Sequence, residues 1–179
     1  MEKLVVRECR EEDASALLQM YIDNKEYFGK WAPIKHDVSY YCLEGQLERI
    51  RSTHKQIEND EYYFFGIFLE KSNTPIGNIN FVFVQRGALQ SAMIGYDLSE
   101  KYTGKGYATK AVLLSLEIAF KTLHFHRITA GVEPENIGSI RVLEKAGFTR
   151  EGYSRKVLRV DDQWRDIINM AILEENMWR

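Results

Sequence analysis

The chain has 179 residues, 45% of them hydrophobic and 28% charged, which suits one globular domain spanning 1–179 and excludes low-complexity or collagen-like sequence. Lys and Arg number 24 against 26 Asp and Glu, for a net charge of −2; this argues against a protein that coats nucleic acid, yet permits a small site for one phosphorylated ligand. Two cysteines, Cys9 and Cys42, are too few for a disulfide scaffold, and no apolar run approaches the ~20 residues of a membrane span, so the chain reads as soluble, cytoplasmic and without a membrane partner.

Leu4–Glu8 is the first predicted strand, with a turn at Arg10–Asp13. Ala14, Leu17, Leu18, Tyr21 and Ile22 recur at helical spacing. Asn24–Pro33 reads as irregular and aromatic, with Tyr27, Phe28 and Trp31. These rings could line a substrate mouth or simply pack a helix connection. Asp37 or Ser39 can cap a second helix reaching about Asn59, with Tyr40, Leu43, Leu47 and Ile50 on one side. The period then changes. Tyr62–Leu69, Ile76–Val84 and Ala88–Leu98 are strands separated by turns at Lys71–Thr74 and Gln85–Gly87. Three sequential strands with short turns predict an antiparallel meander. A helix of about four turns follows, with Ala108, Ala111, Val112, Ser115, Ala119 and Leu123 on one face. Ile128–Val132 is a strand ended by Pro134, and Ile137–Ala146 a short helix stopped by Gly147. Phe148–Val160 and Trp164–Leu173 are closing strands around the turn Asp161–Asp162. The order β α α β β β α β α β β predicts one mixed α/β domain.

Two segments can carry chemistry. Tyr102-Thr103-Gly104-Lys105-Gly106-Tyr107-Ala108 joins a strand to a helix. Its glycines allow a tight turn, and a helix N-terminus offers unpaired N–H groups to an anion. A plain strand-to-helix turn has the same look. A dinucleotide fingerprint would need Gly or Ala where Thr109 stands, and a P-loop needs its glycines further apart. Asn136 and Ser139 lie one turn apart at the start of the short helix. They read as an N-cap with a polar first turn, or as a pair of hydrogen-bonding side chains at a strand end. His124 and His126 have poor metal-ligand spacing and suit a helix C-terminus better, so no metal is expected. Asp161-Asp162 is a turn, not an acid–base pair.

Together the segments resemble the GCN5-related N-acetyltransferase (GNAT) superfamily. The residues are Gly95-Tyr96, Gly104-Lys105-Gly106-Tyr107-Ala108-Thr109, Asn136-x-x-Ser139, Glu144-Lys145-Ala146-Gly147-Phe148 and Glu151-Gly152. The likeness runs from about Leu4 to Ile172. Lys101 stands where Gln or Arg is usual. Asn24 through Trp31 and Pro33 adds a resemblance to the ribosomal-protein alanine N-acetyltransferase (Rim-type) branch.

The resemblance implies a mostly antiparallel sheet splayed between its fourth and fifth strands and flanked by about four helices. It implies acetyl-CoA in that opening. Tyr96, Asp97 and Leu98 would pair with the pantetheine amides, Thr103 to Thr109 would hold the pyrophosphate, and Asn136 would bond the pantetheine arm. An amine would attack the thioester directly, without a covalent enzyme intermediate. A main-chain N–H near Leu98 would hold the carbonyl oxygen, and Ser139 would protonate the leaving thiolate, with Tyr96 or Tyr102 next in line. Some relatives carry an acid in the strand after Gly152 to accept the amine proton, where this chain has Val157-Leu158; Asp97 and Glu135 are the candidate bases here, through water. An α-amine of pKa ~7.8 is about a quarter neutral at pH ~7.4, a Lys amine of pKa ~10.4 only about 0.1%. A weak base therefore suits the N-terminal α-amine of a protein. A small amine such as a polyamine or aminoglycoside is the alternative acceptor, and a catalytically silent CoA-binding module the alternative outside enzymes. Tyr27 and Trp31 are the expected substrate contacts, and the assembly is a monomer or homodimer.

Overall fold

Every residue of β2 (Tyr63–Leu69) is buried, because this aromatic and β-branched run has an apolar layer on each face. The computed structural model describes residues 2–32 and 37–177. Its other strands are β1 (Leu4–Glu8), β3 (Pro75–Gln85), β4 (Ser91–Leu98), β5 (Arg127–Val132), β6 (Thr149–Val160) and β7 (Gln163–Leu173). They form one sheet in the order β1-β2-β3-β4-β5-β7-β6. Side chains alternate along a strand. Phe65 and Ile67 therefore join Ile79, Phe81, Val112 and Leu116 on one side. Phe64 and Phe68 join Leu17, Tyr21 and Ile50 on the other. Each such side chain contributes about 1.5–3 kcal/mol on burial.

Helices α4 (Tyr107–Glu117) and α5 (Ile137–Lys145) cover the first side, and α1 (Ala14–Asp23), α2 (Lys25–Gly29) and α3 (Leu43–Glu58) the second. Helix α6 (Glu174–Met177) is a closing turn. The meander β2-β3-β4 is antiparallel as expected. Among the described residues only β4 and β5 run parallel, and they pair only at Ser91–Arg127, Ala92–Ile128 and Met93–Thr129. Beyond that, β4 stays on β3 as far as Leu98, and β5 stays on β7 as far as Val132. The two strands diverge into a fork, which is the expected splay.

Local details depart from the reading of the sequence. Lys25–Gly29 is a helix, not irregular chain; Phe28 buries into the second core and the Asn24 carbonyl accepts the Phe28 N–H. Asp37 does act as a cap, accepting from the Ser39 N–H at 2.8 Å, but it heads a 3₁₀ turn over Val38–Tyr41. That turn lies so close over α3 that a Cβ on Gly45 would meet the Ser39 carbonyl oxygen at 1.9 Å. The long fourth helix loosens into a π turn at Ile118–Thr122. Gly147 takes φ +97° after α5, the left-handed stop expected there. Among the described residues no helix is long and apolar enough to cross a membrane. Pro33 lies outside the described residues.

Candidate active site

Past Leu98 the chain makes a 3₁₀ turn at Glu100–Tyr102, tied by the Thr103 N–H and hydroxyl donating to the Glu100 carbonyl at 3.0 and 2.7 Å. Gly104 and Gly106 then take φ +70° and +82°, a region costly for residues with a Cβ. Nothing lies within 4 Å of a Cβ built on Gly104, so conformation, not crowding, demands glycine there, and the loop's outer face is open. Gly106 is the N-cap of α4 and gives it no side-chain cap. The helix itself supplies no acceptors for the N–H groups of its first turn, Tyr107, Ala108 and Thr109. Their positive end faces the loop. The backbone from Thr103 to Thr109 thus fits a pyrophosphate. Lys105 is exposed and donates to the Lys101 carbonyl at 2.6 Å, four residues back. Tyr102 packs edge-on against Tyr107.

At the fork, Tyr96 of β4 reaches α5. Its hydroxyl lies 2.8 Å from Ser139 Oγ and donates to the Ser139 carbonyl at 3.3 Å. Asn136 Oδ1 accepts from the Ser139 N–H at 3.1 Å, so Asn136 does cap the helix. Burial pushes the Tyr96 phenol up to about 12, against the opposing effect of its bond to Ser139. Tyr96 is therefore protonated at neutral pH and available as a donor.

Asp97 sits on the opposite face of β4, directly across from Asn78. Burial raises its carboxyl above the ordinary carboxylate range, and a hydrogen bond from Asn78 Nδ2, at 3.4 Å, works against that rise. The carboxylate opens into a cavity of about 560 Å³ between the sheet and α3, lined among others by Tyr40, Arg49, Ser52, Asn78 and Asn80. A Cβ on Gly95 would meet Asn80 Oδ1 at 2.6 Å, so the bare glycine lets Asn80 lie across the cavity floor.

The remaining predicted residues fall at different distances from this centre. Leu98 ends β4 with its side chain buried. Glu135 is exposed just before α5. Tyr27 packs against the second core beside Phe28, and Trp31 is half-buried with the Lys30 ammonium over its ring. Neither ring is among those lining the cavity. His124 is exposed at φ +55°, and His126 faces Glu175 at 3.9 Å. Asp161 and Asp162 form the β6–β7 turn, both at positive φ.

Three side chains escaped the reading of the sequence, and a fourth, Asn24, entered it only as part of a resemblance. Arg49 lies within the apolar side of α3, over the rings of Tyr21, Tyr40 and Phe64 at 4.4–4.9 Å. Asn78 and Asn80 share a face by their two-residue spacing within an apolar strand, which is a signal the sequence does carry. Asn24 is buried. Its amide donates to Met20 O and Ser99 Oγ, and its carbonyl accepts from the Glu100 N–H at 2.9 Å. It thereby ties the α1–α2 junction to the start of the glycine loop.

Comparison with known proteins agrees with this geometry. Residues 3–149 match the family model described as acetyltransferase (GNAT) domain. The probable N-acetyltransferase YjcK of Bacillus subtilis (strain 168) is 43% identical over 95% of this chain and 93% of its own length. The ribosomal protein uS5-alanine N-acetyltransferase of Escherichia coli (strain K12) is 32% identical over 96% of this chain and 88% of its own. Among solved structures, Mycobacterium smegmatis RimJ in complex with CoA-disulfide superposes with a TM-score of 0.90 at 29% identity, over 98% of this chain and 84% of that one.

Proposed function

The chain belongs to the acetyltransferase (GNAT) domain family and is an N-acetyltransferase, and from that premise we propose that it acetylates the N-terminal α-amine of a protein, with acetyl-CoA as donor. The observation that carries the reading is the fork, where Tyr96 and Ser139 meet 2.8 Å apart beside a loop built to hold an anion. The relative that acts on the alanine of ribosomal protein uS5 supports the choice of acceptor, and the solved relative holding CoA-disulfide supports the choice of donor.

Acetyl-CoA supplies an acetyl group activated as a thioester. The backbone from Thr103 to Thr109 holds its pyrophosphate, while Tyr96, Asp97 and Leu98 offer main-chain groups to its pantetheine arm. As the amine nitrogen bonds to the acetyl carbon and the C–S bond breaks, Ser139 gives its hydroxyl proton to the departing sulfur. Tyr96 holds that hydroxyl in place and is the nearest group able to restore its proton. The main-chain N–H near Leu98 steadies the carbonyl oxygen. Asp97 receives the proton shed by the amine, directly or through water. No nucleophilic side chain is needed: Cys9 is buried, its thiol pushed up to about 12 and inert.

The test is thiol release from acetyl-CoA across a panel of N-terminal peptides and small amines. Turnover with peptides starting in Ala or Ser is expected. A chain that binds acetyl-CoA and releases thiol with none of them would contradict the proposal and favour a silent binding module.

A further inference from the structure

Arg49 is half-buried, and among the described residues its guanidinium has no carboxylate partner. Its Nη1 donates to Tyr40 Oη at 2.8 Å, and its Nη2 to Gln46 Oε1 at 3.0 Å and Tyr21 Oη at 3.3 Å. All three acceptors are neutral, and its buried Nε has no hydrogen-bond partner. The rings of Tyr21, Tyr40 and Phe64 attract this cation but bring no anion, so an oxygen-bearing ligand entering the cavity would add the charge-assisted partner that its neutral acceptors do not supply. Asp97 forms part of the same cavity. Asn78 Nδ2 contacts both Asp97 Oδ2 and Tyr21 Oη, so only the short chain Asn78–Tyr21 separates the carboxylate from the guanidinium. The cavity therefore carries one acidic and one basic end, close together.

Resting on the acetyl-transfer reading above, we propose that this cavity is the acceptor site, where Asp97 receives the substrate's amino group and Arg49 the carbonyl oxygen on the neighbouring carbon. The chemistry recognised is an α-amine beside a carbonyl or carboxylate, as at the first residue of a peptide or in a free amino acid. Asp97 follows Tyr96 on β4 but faces the other side of the sheet, so an amine held there would reach the thioester past the edge of β4, which has no β5 partner beyond Met93. A polyamine or aminoglycoside, with several positive charges and no carbonyl, is repelled by Arg49. Glu48 stands at the exposed rim, and the floor is made of the neutral amides Asn78 and Asn80.

The experiment measures thiol release from acetyl-CoA with an Ala-starting peptide, free alanine and spermidine, for the full chain and two variants. Arg49→Gln removes the cation. Ser52→Trp fills the cavity from an exposed position on α3 and leaves the buried network intact, which keeps the test decisive should Arg49→Gln fold poorly. Both variants are expected to raise KM for the peptide by about 10- to 100-fold, the scale of a lost charged hydrogen bond, with kcat changed much less and acetyl-CoA affinity by calorimetry unaltered. A lower KM for free alanine than for the peptide would support the cavity and move the acceptor from proteins to amino acids. Peptide turnover with an unchanged KM in both variants would overturn the cavity assignment alone, whereas a lower KM for spermidine than for peptide would overturn it together with the protein acceptor proposed above. No thiol release with any acceptor would overturn both this assignment and the proposed function.

Discussion

The hydroxyls of Tyr96 and Ser139 lie 2.8 Å apart, joining β4 to the first turn of α5 across the fork. Residues 43 positions apart in the chain are thus brought to the place where a leaving sulfur needs a proton. Ser139→Ala should lower kcat by about 10²-fold, the low end for loss of a general acid, with acetyl-CoA affinity nearly unchanged. Tyr96→Phe should cost less, because Ser139 stays on α5. Steady-state kinetics with calorimetry decides this; a normal kcat in Ser139→Ala would move the acid role to Tyr96.

Gly106→Glu should raise the Kd for CoA at least tenfold, since a left-handed residue with a Cβ and a negative charge enter the anion site together. Calorimetry checks it, with a thermal melt to show that the variant is folded. Unchanged affinity in a folded variant would refute the placement of the pyrophosphate.

Asn24 holds the glycine loop from behind through its bonds to Ser99 Oγ and the Glu100 N–H. Asn24→Ala leaves buried partners unpaired, at about 1–3 kcal/mol. Urea unfolding should show that loss, and KM for acetyl-CoA should rise although Asn24 lies behind the loop. A destabilised variant with normal KM for acetyl-CoA would confine Asn24 to packing.

Asp97 gives a pH-dependent signature. Burial holds its folded pKa above the unfolded value. Between those two values the folded chain carries more protons, so this group makes stability fall as pH rises. Above both, a charged carboxylate stays buried at a cost. Asp97→Asn should therefore resist urea better than the parent at pH ~7, and the difference should shrink as pH falls to the ordinary carboxylate range. Its activity should drop in parallel. Equal urea midpoints at neutral pH would contradict a costly buried charge.

The fold was legible because its signals are local. The two-residue alternation of the meander, the glycines at positions 104 and 106 and the Gly147 stop each follow from backbone geometry. The pairing of Tyr96 with Ser139 was not legible in this way: both were flagged, but their contact depends on where α5 packs. Asp97 was named as a base, yet the cavity it faces was invisible, because Arg49 reaches it from a helix nearly fifty residues earlier in sequence and reads there as one surface charge among many. The α2 helix was missed because what holds Asn24, Ser99 Oγ and the Glu100 N–H, lies some 75 residues on.

The central claim, transfer to an α-amine, is tested most directly by kcat/KM against pH for two peptides of equal length. One starts in a free Ala and carries no Lys; the other has a blocked N-terminus and one internal Lys. Mass spectrometry locates the acetyl group. The account predicts that the free α-amine is acetylated far faster near neutral pH, because about 2.6 pKa units, or about 3.5 kcal/mol of proton removal, separate it from the Lys amine. Faster acetylation of the Lys peptide across that pH range would contradict it.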